Sequence, residues 1–170
     1  MSIHFVAVVV AGILVAGMAV PAAAQARRAA PAAVIPASVQ GVWFKGDADG
    51  RSQCAAYKRA AKGSDTDEIW RSLILANVIT SRRMHAVAEY GEGNVYEVQR
   101  VAGDAKIGWT VTSRLVLDGD EADAQTMRFQ LKPVGKDRLQ INFVERGRVT
   151  STETDFRCAP LSRFLLSQHR

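Results

Sequence analysis

The residues of this chain that could do chemistry beyond packing are three histidines, two cysteines and several groups of carboxylates. The sequence contains no G-x-S-x-G nucleophile elbow, no phosphate-binding P-loop and no G-x-G-x-x-G dinucleotide fingerprint to organise them. It therefore predicts a non-catalytic protein without a cofactor. A hydrolase is the function class that the sequence supports least.

The carboxylates fall at turns rather than in an evident catalytic pair. Asp47-Ala48-Asp49-Gly50 is similar to the start of an EF-hand calcium loop, but such a loop would need a glutamate eleven positions after Asp47, where the chain has Lys58. We interpret the segment as a hairpin-type turn. Glu89, Glu92 and Glu97 flank a second turn and are expected to be solvated.

The histidines predict no metal site. His4 lies in an N-terminal segment that we expect to be removed, so only His85 and His169 remain, too few for a three-histidine site. Because His85 stands close to Arg82 and Arg83, we interpret it as an exposed residue in a basic turn.

Residues 1–24 are typical of a secretory signal peptide. The stretch from Phe5 to Val20 carries no charge, Pro21 interrupts it, and alanines precede the expected cleavage after Ala24 or, at an overlapping site, after Ala26. Retention as a membrane anchor is the alternative, although a spanning helix needs roughly 20 apolar residues and this run is shorter. The predicted location is the periplasm or the extracellular medium.

Export determines how the cysteines are interpreted. Cys54 and Cys158 would meet an oxidising compartment, in which an even pair is expected to form an intramolecular disulfide. Their wide separation argues against redox catalysis, which uses closely spaced cysteines.

Export also changes the meaning of the net charge of +5. In the cytosol such a charge would suggest nucleic acid, but the basic residues are interspersed with acidic ones and predict a solvated surface. The expected partner is a small apolar molecule or an envelope protein, and not nucleic acid. We expect a monomer, with membrane association only if the signal stays uncleaved.

The chain length fits one folded domain after the signal. Residues 25–37 are rich in alanine and proline and predict a flexible leader. Residues 38–160 carry the predicted domain, and residues 161–170 form a tail. Apolar residues at helical spacing predict a short amphipathic helix in this tail: Leu161, Phe164 and Leu165.

The first part of the domain combines one clear strand with an ambiguous segment. Val39 to Lys45 predicts a strand, and residues 54–62 are expected to form a loop or a short helix. Ser64 or Asp65 gives a helix-start signal. We therefore expect a short helix over residues 65–70, followed directly by a strand.

From Met84 onward, runs rich in β-forming residues alternate with turn clusters at hairpin spacing. The predicted strands are 84–90, 95–101, 107–117, 126–133, 139–144 and 148–158. Short strands at this spacing indicate an antiparallel meander that closes into a small barrel of about eight strands. The predicted fold class is therefore all-β, with a short helix before the main strands and a second at the C-terminus.

Alternation along these strands separates an apolar face from a polar one. Barrels of about eight strands either fill their interior with side chains or hold one small ligand. Large apolar residues on the predicted inner faces are therefore candidates to line a ligand site, with a filled core as the alternative: Trp109, Met127, Phe129 and Phe143.

Gly41-Val42-Trp43 at the start of the first strand, ahead of an antiparallel meander, resembles the G-x-W signature of lipocalin-like calycin barrels. In those barrels the tryptophan closes the base, and an arginine near the last strand packs over it. The resemblance therefore implies that Gly41, Trp43 and Arg157 form the base of the barrel.

Residues 38–160 are also similar to small exported proteobacterial proteins that have G-x-W near the start, a cysteine soon after it, and an aromatic-Arg-Cys ending. That ending is Phe156-Arg157-Cys158 here. The group has no settled activity, so this resemblance implies fold and location rather than function.

The predicted arrangement, a flexible leader ahead of a small barrel, is also similar to that of small periplasmic barrels that inhibit secreted metalloproteases with a flexible N-terminal segment. In those inhibitors the disulfide is local, whereas here it would join the first loop to the last strand. The favoured function is binding of a small apolar ligand or an envelope component. The alternative is a protein-interaction or inhibitor-like factor that acts through residues 25–37 and the loops at the barrel ends.

Overall fold

Eight antiparallel strands, each paired with its neighbours in sequence, close into a barrel in the computed structural model, which describes residues 34–63, 65–116 and 125–169. The last strand pairs with the first, and this removes the free edges that an open sheet would carry. The predicted all-β barrel is confirmed. The strands are β1 (Gly41–Lys45), β2 (Ala76–Ile79), β3 (Arg83–Val87), β4 (Gly93–Asp104), β5 (Gly108–Val116), β6 (Thr126–Pro133), β7 (Arg138–Glu145) and β8 (Arg148–Ala159).

Helix α1 (Ala48–Ala60) begins where the sequence suggested a hairpin-type turn, so that interpretation of Asp47–Gly50 is wrong. The Asp47 side chain accepts a hydrogen bond from the Gly50 backbone N–H at 2.8 Å, which is the geometry of a helix N-cap. A Cβ at Gly50 would lie 2.1 Å from the Lys45 carbonyl oxygen, so only glycine lets the helix start this close to β1.

Helix α2 (Thr66–Ser72) confirms the predicted short helix, because the Asp65 carboxylate accepts hydrogen bonds from the backbone N–H groups of Asp67 and Glu68. The following strand begins at Ala76, later than expected, after a turn in which Leu75 has a φ of 68°. The tail contains α3 (Arg163–Gln168), as predicted. Among the described residues, no helix has both the length and the apolar character needed to cross a membrane.

Apolar side chains form two separate cores, one inside the barrel and one between the barrel and the helices. The interior core combines alternate residues of the strands with two residues from the segment before β1: Ile35, Val39, Trp43, Ile79, Met84, Tyr96, Trp109, Val111, Phe129, Leu131, Leu139 and Ile141. The outer core packs the helices on β1, β2, β3 and β8: Val42, Phe44, Cys54, Tyr57, Ala60, Ile69, Leu73, Ala76, Val78, Val87, Cys158 and Leu165.

The predicted disulfide is confirmed. Cys54 of α1 is bonded to Cys158 of β8, with their Cα atoms 5.6 Å apart. Both side chains are buried in the outer core. The bond therefore fastens the first helix to the strand that closes the barrel.

Residues 34–37, which the sequence assigned to the leader, lie among the described residues, and one of them packs into the barrel. Ile35 is fully buried in the interior core, and its backbone N–H donates to the Ser81 carbonyl oxygen at 2.8 Å. The composition of residues 25–37 gives no sign of this contact, because the segment is mostly alanine and proline. The single isoleucine is nevertheless enough to fix the end of the segment. The signal and residues 25–33 lie outside the described residues.

Candidate functional site

The base of the barrel is closed by Trp43 and Arg157, the pair that the resemblance implies. The Arg157 guanidinium lies 4.4 Å from the centre of the Trp43 ring, a cation–π contact. Arg157 also donates hydrogen bonds to the carbonyl oxygens of Ser38 and Gln40. The Trp43 indole N–H donates to the Val39 carbonyl oxygen at 3.0 Å. These bonds hold the segment before β1 across this end, so the base is a structural plug.

Gly41 keeps space for that plug. A Cβ at this position would lie 3.1 Å from the Ala159 carbonyl oxygen and 3.6 Å from both Arg157 and the Trp43 indole nitrogen. A side chain here would crowd the Ala159 carbonyl oxygen and lie in ordinary contact with Trp43 and Arg157.

All four side chains suggested as a ligand lining pack in or against the interior core. Trp109 and Phe129 are buried in the interior core, and Met127 packs against it. Phe129 makes edge-to-face contacts with Tyr96 and Phe143, at ring-centre distances of 4.8 and 5.0 Å. Of the four, only Phe143 lines the cavity at the end of the barrel opposite the plug.

That cavity, which we call the mouth cavity, has a volume of about 450 Å³ and lies away from Trp43 and Arg157. Inward-facing residues of five strands line it: Asn77, Ala86, Asn94, Tyr96, Phe143, Glu153 and Asp155. The rim is completed by the end of β1, the start of α1 and the neighbouring residues of β2 and β3: Lys45, Asp47, Asp49, Gly50, Leu75, Ala76 and Val87. The cavity is thus built from the strands themselves and only bordered by connections.

The polar side of the mouth cavity comes from β8. Alternation along this strand places Ser151, Glu153 and Asp155 on the same face as Arg157, and Asp155 pairs in register with Leu139 of the interior core. The described residues of β8 contribute no apolar side chain to the interior core. A row of polar side chains therefore runs from the open end of the barrel down to the base.

Asp155 is the most unusual residue of this row. It is 1% exposed, and its Oδ2 accepts a hydrogen bond from the Asn77 side-chain amide at 2.8 Å. Its Oδ1 is buried without a hydrogen-bond partner. Burial raises the pKa of this carboxyl group, and the Glu153 carboxylate adds to the effect, whereas the bond from Asn77 opposes it.

Asp155 and Glu153 also form no ion pair with any described residue. Within the described residues, salt bridges occur only between Glu97 and the two arginines Arg83 and Arg114. Lys45 stands beside Asp155 in the β-ladder and lowers its pKa slightly against the dominant effect of burial, but it forms no salt bridge with it. The mouth cavity therefore holds a recessed acceptor that no group of the described residues satisfies.

The glutamates that were weighed from the sequence as candidates for hydrolysis lie outside the mouth cavity. Glu97 is held by Arg83 and Arg114 at 3.2 and 2.8 Å, and the hydrogen bond from Arg114, the largest effect, lowers its pKa. Glu89 is exposed on a short 3₁₀ turn, Glu89–Gly91. Glu92 contributes its backbone carbonyl to a bond with His85. These residues do not form a paired catalytic site.

His85 is buried, so its interpretation as an exposed residue of a basic turn is wrong. Only 4% of it is exposed, because it faces out from β3 beneath the helices, where it meets His169. Trp70 of α2 covers both rings, with ring-centre distances of 6.0 and 6.4 Å. Nothing in the local sequence indicates this burial, since it depends on how the C-terminal helix packs.

The hydrogen bonds of the two histidines determine where their protons lie. His85 Nε2 is 3.1 Å from the Glu92 carbonyl oxygen, and His169 Nδ1 is 2.9 Å from the Leu165 carbonyl oxygen. A carbonyl only accepts, so these two nitrogens are the donors. In neutral rings the facing nitrogens, 3.2 Å apart, then have no proton between them. An added proton would bridge them, but burial lowers the pKa of both rings, and Arg83 adds to this at His169.

We expect the protein to lose stability below pH 6.5 because of this pair. The folded-state pKa of each ring lies below the ordinary value of 6.5, so the unfolded chain binds more protons as the pH falls. The stability is therefore complete above pH 6.5 and declines below it. Urea denaturation of the wild type and of His85→Gln between pH 7.5 and 5 measures this effect. The decline should be shallower in the variant, and an equal slope in both proteins would contradict the assignment.

Comparison of the chain with protein-family models, curated proteins and solved structures yields no match. The fold therefore defines the class of the protein. It is an eight-stranded antiparallel barrel with one disulfide, compatible with a lipocalin-like barrel, plugged at its base and open to a cavity at its mouth. Among the described residues, no group of three or more histidines, cysteines or carboxylates is placed to hold a metal ion.

Proposed function

We propose that this chain is an exported, non-catalytic binding protein of lipocalin-like plan that holds one small molecule in the mouth cavity. The observation that carries this proposal is the combination of a cavity of about 450 Å³ with a lining residue, Asp155, that has an unpartnered buried oxygen. Small-molecule sites have volumes of roughly 300 to 1,000 Å³ and a few well-placed polar groups in an apolar wall. The N-terminal signal sequence and the disulfide support the periplasm or the extracellular medium as the location.

The lining favours an amphipathic ligand over a purely apolar one. Tyr96 and Phe143 form an aromatic wall, and Ala86 leaves space beside them. Asn77, Glu153 and Asp155 add polar groups to the same lining. A molecule with an apolar body and a polar head would satisfy both surfaces.

Leu75 adds an apolar group at the rim. It is 62% exposed and has a φ of 68°, a left-handed conformation that a leucine rarely adopts. A hydrogen bond from its backbone N–H to the Val87 carbonyl oxygen holds this turn. Strained residues of this kind concentrate at ligand-binding sites, and a leucine held against solvent at the rim could cover the body of a ligand.

A protein-interaction role through the leader has less support. The most C-terminal part of the leader is anchored by Ile35 in the interior core, and residues 25–33 lie outside the described residues. The likeness to small exported proteobacterial proteins is in keeping with the proposed location. It adds nothing on the identity of the ligand.

Substitution of Ala86 by tryptophan is expected to block the site. Ala86 faces the mouth cavity, and a large side chain there would fill it, while Ala102 lies on the exposed outside of β4 and gives a matched control. N-phenyl-1-naphthylamine, a neutral probe that fluoresces in apolar surroundings, should bind the wild type and Ala102→Trp with one site. Its affinity for Ala86→Trp should fall by about tenfold or more.

Titration of the fluorescence gives the number of sites and the dissociation constant in all three proteins. Thermal unfolding of the variants shows whether each one is folded. Equal affinity in folded Ala86→Trp and in the wild type, or no one-site binding to the wild type, would count against a ligand site at the mouth.

A further inference from the structure

We infer that the ligand of the mouth cavity is an organic cation, an ammonium group on an apolar or aromatic body, which binds with its charge at Asp155 and Glu153. This inference rests on the proposed function, because it names the chemical class of the molecule that the mouth cavity takes. The reasons are the charge of the lining, the missing donor at Asp155 and the aromatic residues that share the lining with it.

The mouth cavity is acidic although the chain as a whole is basic. Its lining includes four carboxylates and one ammonium group, whereas the entire chain has a net charge of +5. The carboxylates are those of Asp47, Asp49, Glu153 and Asp155, and the ammonium group is that of Lys45. A recess with one sign of charge concentrates ligands of the opposite sign and disfavours ligands of the same sign.

Asp155 supplies an observation that is independent of this charge count. Asn77 already donates to Oδ2, so the site lacks one donor, and that donor must approach Oδ1. A buried carboxylate without a full set of partners is costly, and a charged donor compensates this cost better than a hydroxyl group does. The ligand group that completes the site is therefore a positively charged N–H donor.

Glu153 provides the second contact for the charge. It lies two residues from Asp155 on the same face of β8 and nearer the open end, and it is only half-buried. Successive residues on one face of a strand are about 6.6 Å apart, so an ammonium group between them can approach both carboxylates. Glu153 would thus meet the cation first, and Asp155 would hold it deeper.

The aromatic part of the lining suits the rest of such a ligand. Tyr96 of β4 and Phe143 of β7 line the mouth cavity together with the carboxylates of β8. Aromatic rings bury apolar groups and also attract a nearby cation. Among the described residues, no group of three or more candidate metal ligands converges on one point, so an organic cation fits this lining better than a metal ion does.

Three ligands with one body and different head groups test this inference. They are 4-phenylbutylamine, 4-phenylbutan-1-ol and 4-phenylbutyrate, measured by isothermal titration calorimetry at pH 7.5 and low ionic strength with the wild type. We expect the amine to bind about tenfold more tightly than the alcohol, and the carboxylate to bind most weakly.

The same three ligands are then measured with Asp155→Asn and Glu153→Gln. The side-chain amide that Asp155→Asn introduces would keep an acceptor for Asn77, so the fold should persist. Each variant should lose most of the preference for the amine and keep the affinity for the alcohol. Asp137→Asn is the matched control, because Asp137 is an exposed carboxylate in the β6–β7 loop at the base, and it should leave the preference unchanged.

The outcomes separate this inference from the function on which it rests. Equal affinities for the amine and the alcohol, or a preference for the amine that survives in both folded β8 variants, would overturn the cation assignment while the mouth site stands. The assignment would also be overturned if none of the three ligands binds while N-phenyl-1-naphthylamine still does. Failure of all four molecules to bind would remove the mouth site as well.

Discussion

Removal of the disulfide is expected to lower the free energy of unfolding by about 4 kcal/mol. Cys54 and Cys158 are 104 positions apart, so the bond closes a loop that spans most of the described chain and restricts the unfolded state strongly. It also fastens α1, which lies outside the β-sheet, to the strand that closes the barrel. Urea denaturation of the double variant Cys54→Ala/Cys158→Ala against the wild type measures the loss.

Reduction of the wild type provides the control for this prediction. Dithiothreitol should shift the midpoint of the wild type to that of the double variant, and it should leave the double variant unchanged. The prediction fails if the two oxidised proteins unfold at the same urea concentration. Alanine leaves only a small void at either position, so packing alone would account for a minor part of the effect.

The disulfide was predictable because its argument needs only two cysteines and an export signal. The strands were predictable for a similar reason, since alternation of apolar and polar residues is a local pattern that the barrel preserves. β6 has the same bounds in the sequence interpretation and in the structure, Thr126–Pro133. Its inward residues, Phe129 and Leu131, lie in the interior core.

The start of helix α1 was missed although the signal of the helix is present, whereas residues 54–62 were expected to form a loop or a short helix. Its buried residues Gly50, Cys54, Tyr57 and Ala60 follow the spacing of one helical face, and Asp47 is a good N-cap. Aspartate and glycine close together are typical of turns as well, and the sequence interpretation took that option. The difference is decided by the fit of Gly50 against Lys45, which is a tertiary contact.

Part of the candidate site was missed although the sequence contained the information needed to find it. The resemblance implied that Arg157 packs over Trp43 at the base, and strict alternation then places Asp155 and Glu153 on the same face of β8 as Arg157. Charged residues facing into a barrel are unusual enough to mark a site. The search for ligand-lining residues considered only large apolar side chains, and these fill the interior.

The histidine pair had no comparable signal. His85 and His169 are 84 residues apart, and they meet because α3 folds back over the outward face of β3. From the sequence, the neighbouring Arg82 and Arg83 favoured an exposed position for His85. Only the packing of Trp70 and the C-terminal helix on this strand reverses that expectation.

Replacement of Trp43 by alanine is expected to lower the free energy of unfolding by about 3 to 5 kcal/mol. Trp43 is 2% exposed and belongs to the interior core, so its removal leaves a cavity at the closed end of the barrel. The substitution also removes the donor to the Val39 carbonyl oxygen and the ring beneath Arg157. Urea denaturation measures the loss, and hydrogen exchange of the Ile35 amide reports whether the segment before β1 detaches from the base.

Trp43→Phe separates the ring from its N–H group. Phenylalanine keeps an aromatic surface for Arg157 but cannot donate to Val39, so its cost should be nearer the roughly 1 to 3 kcal/mol of a buried acceptor left without its partner. If Trp43→Ala were no more destabilising than Trp43→Phe, the ring would not be part of the plug. Binding of N-phenyl-1-naphthylamine should survive in Trp43→Phe, because the mouth cavity lies at the other end of the barrel. Loss of that binding in a folded variant would mean that the two ends do not act as separate structural and binding regions.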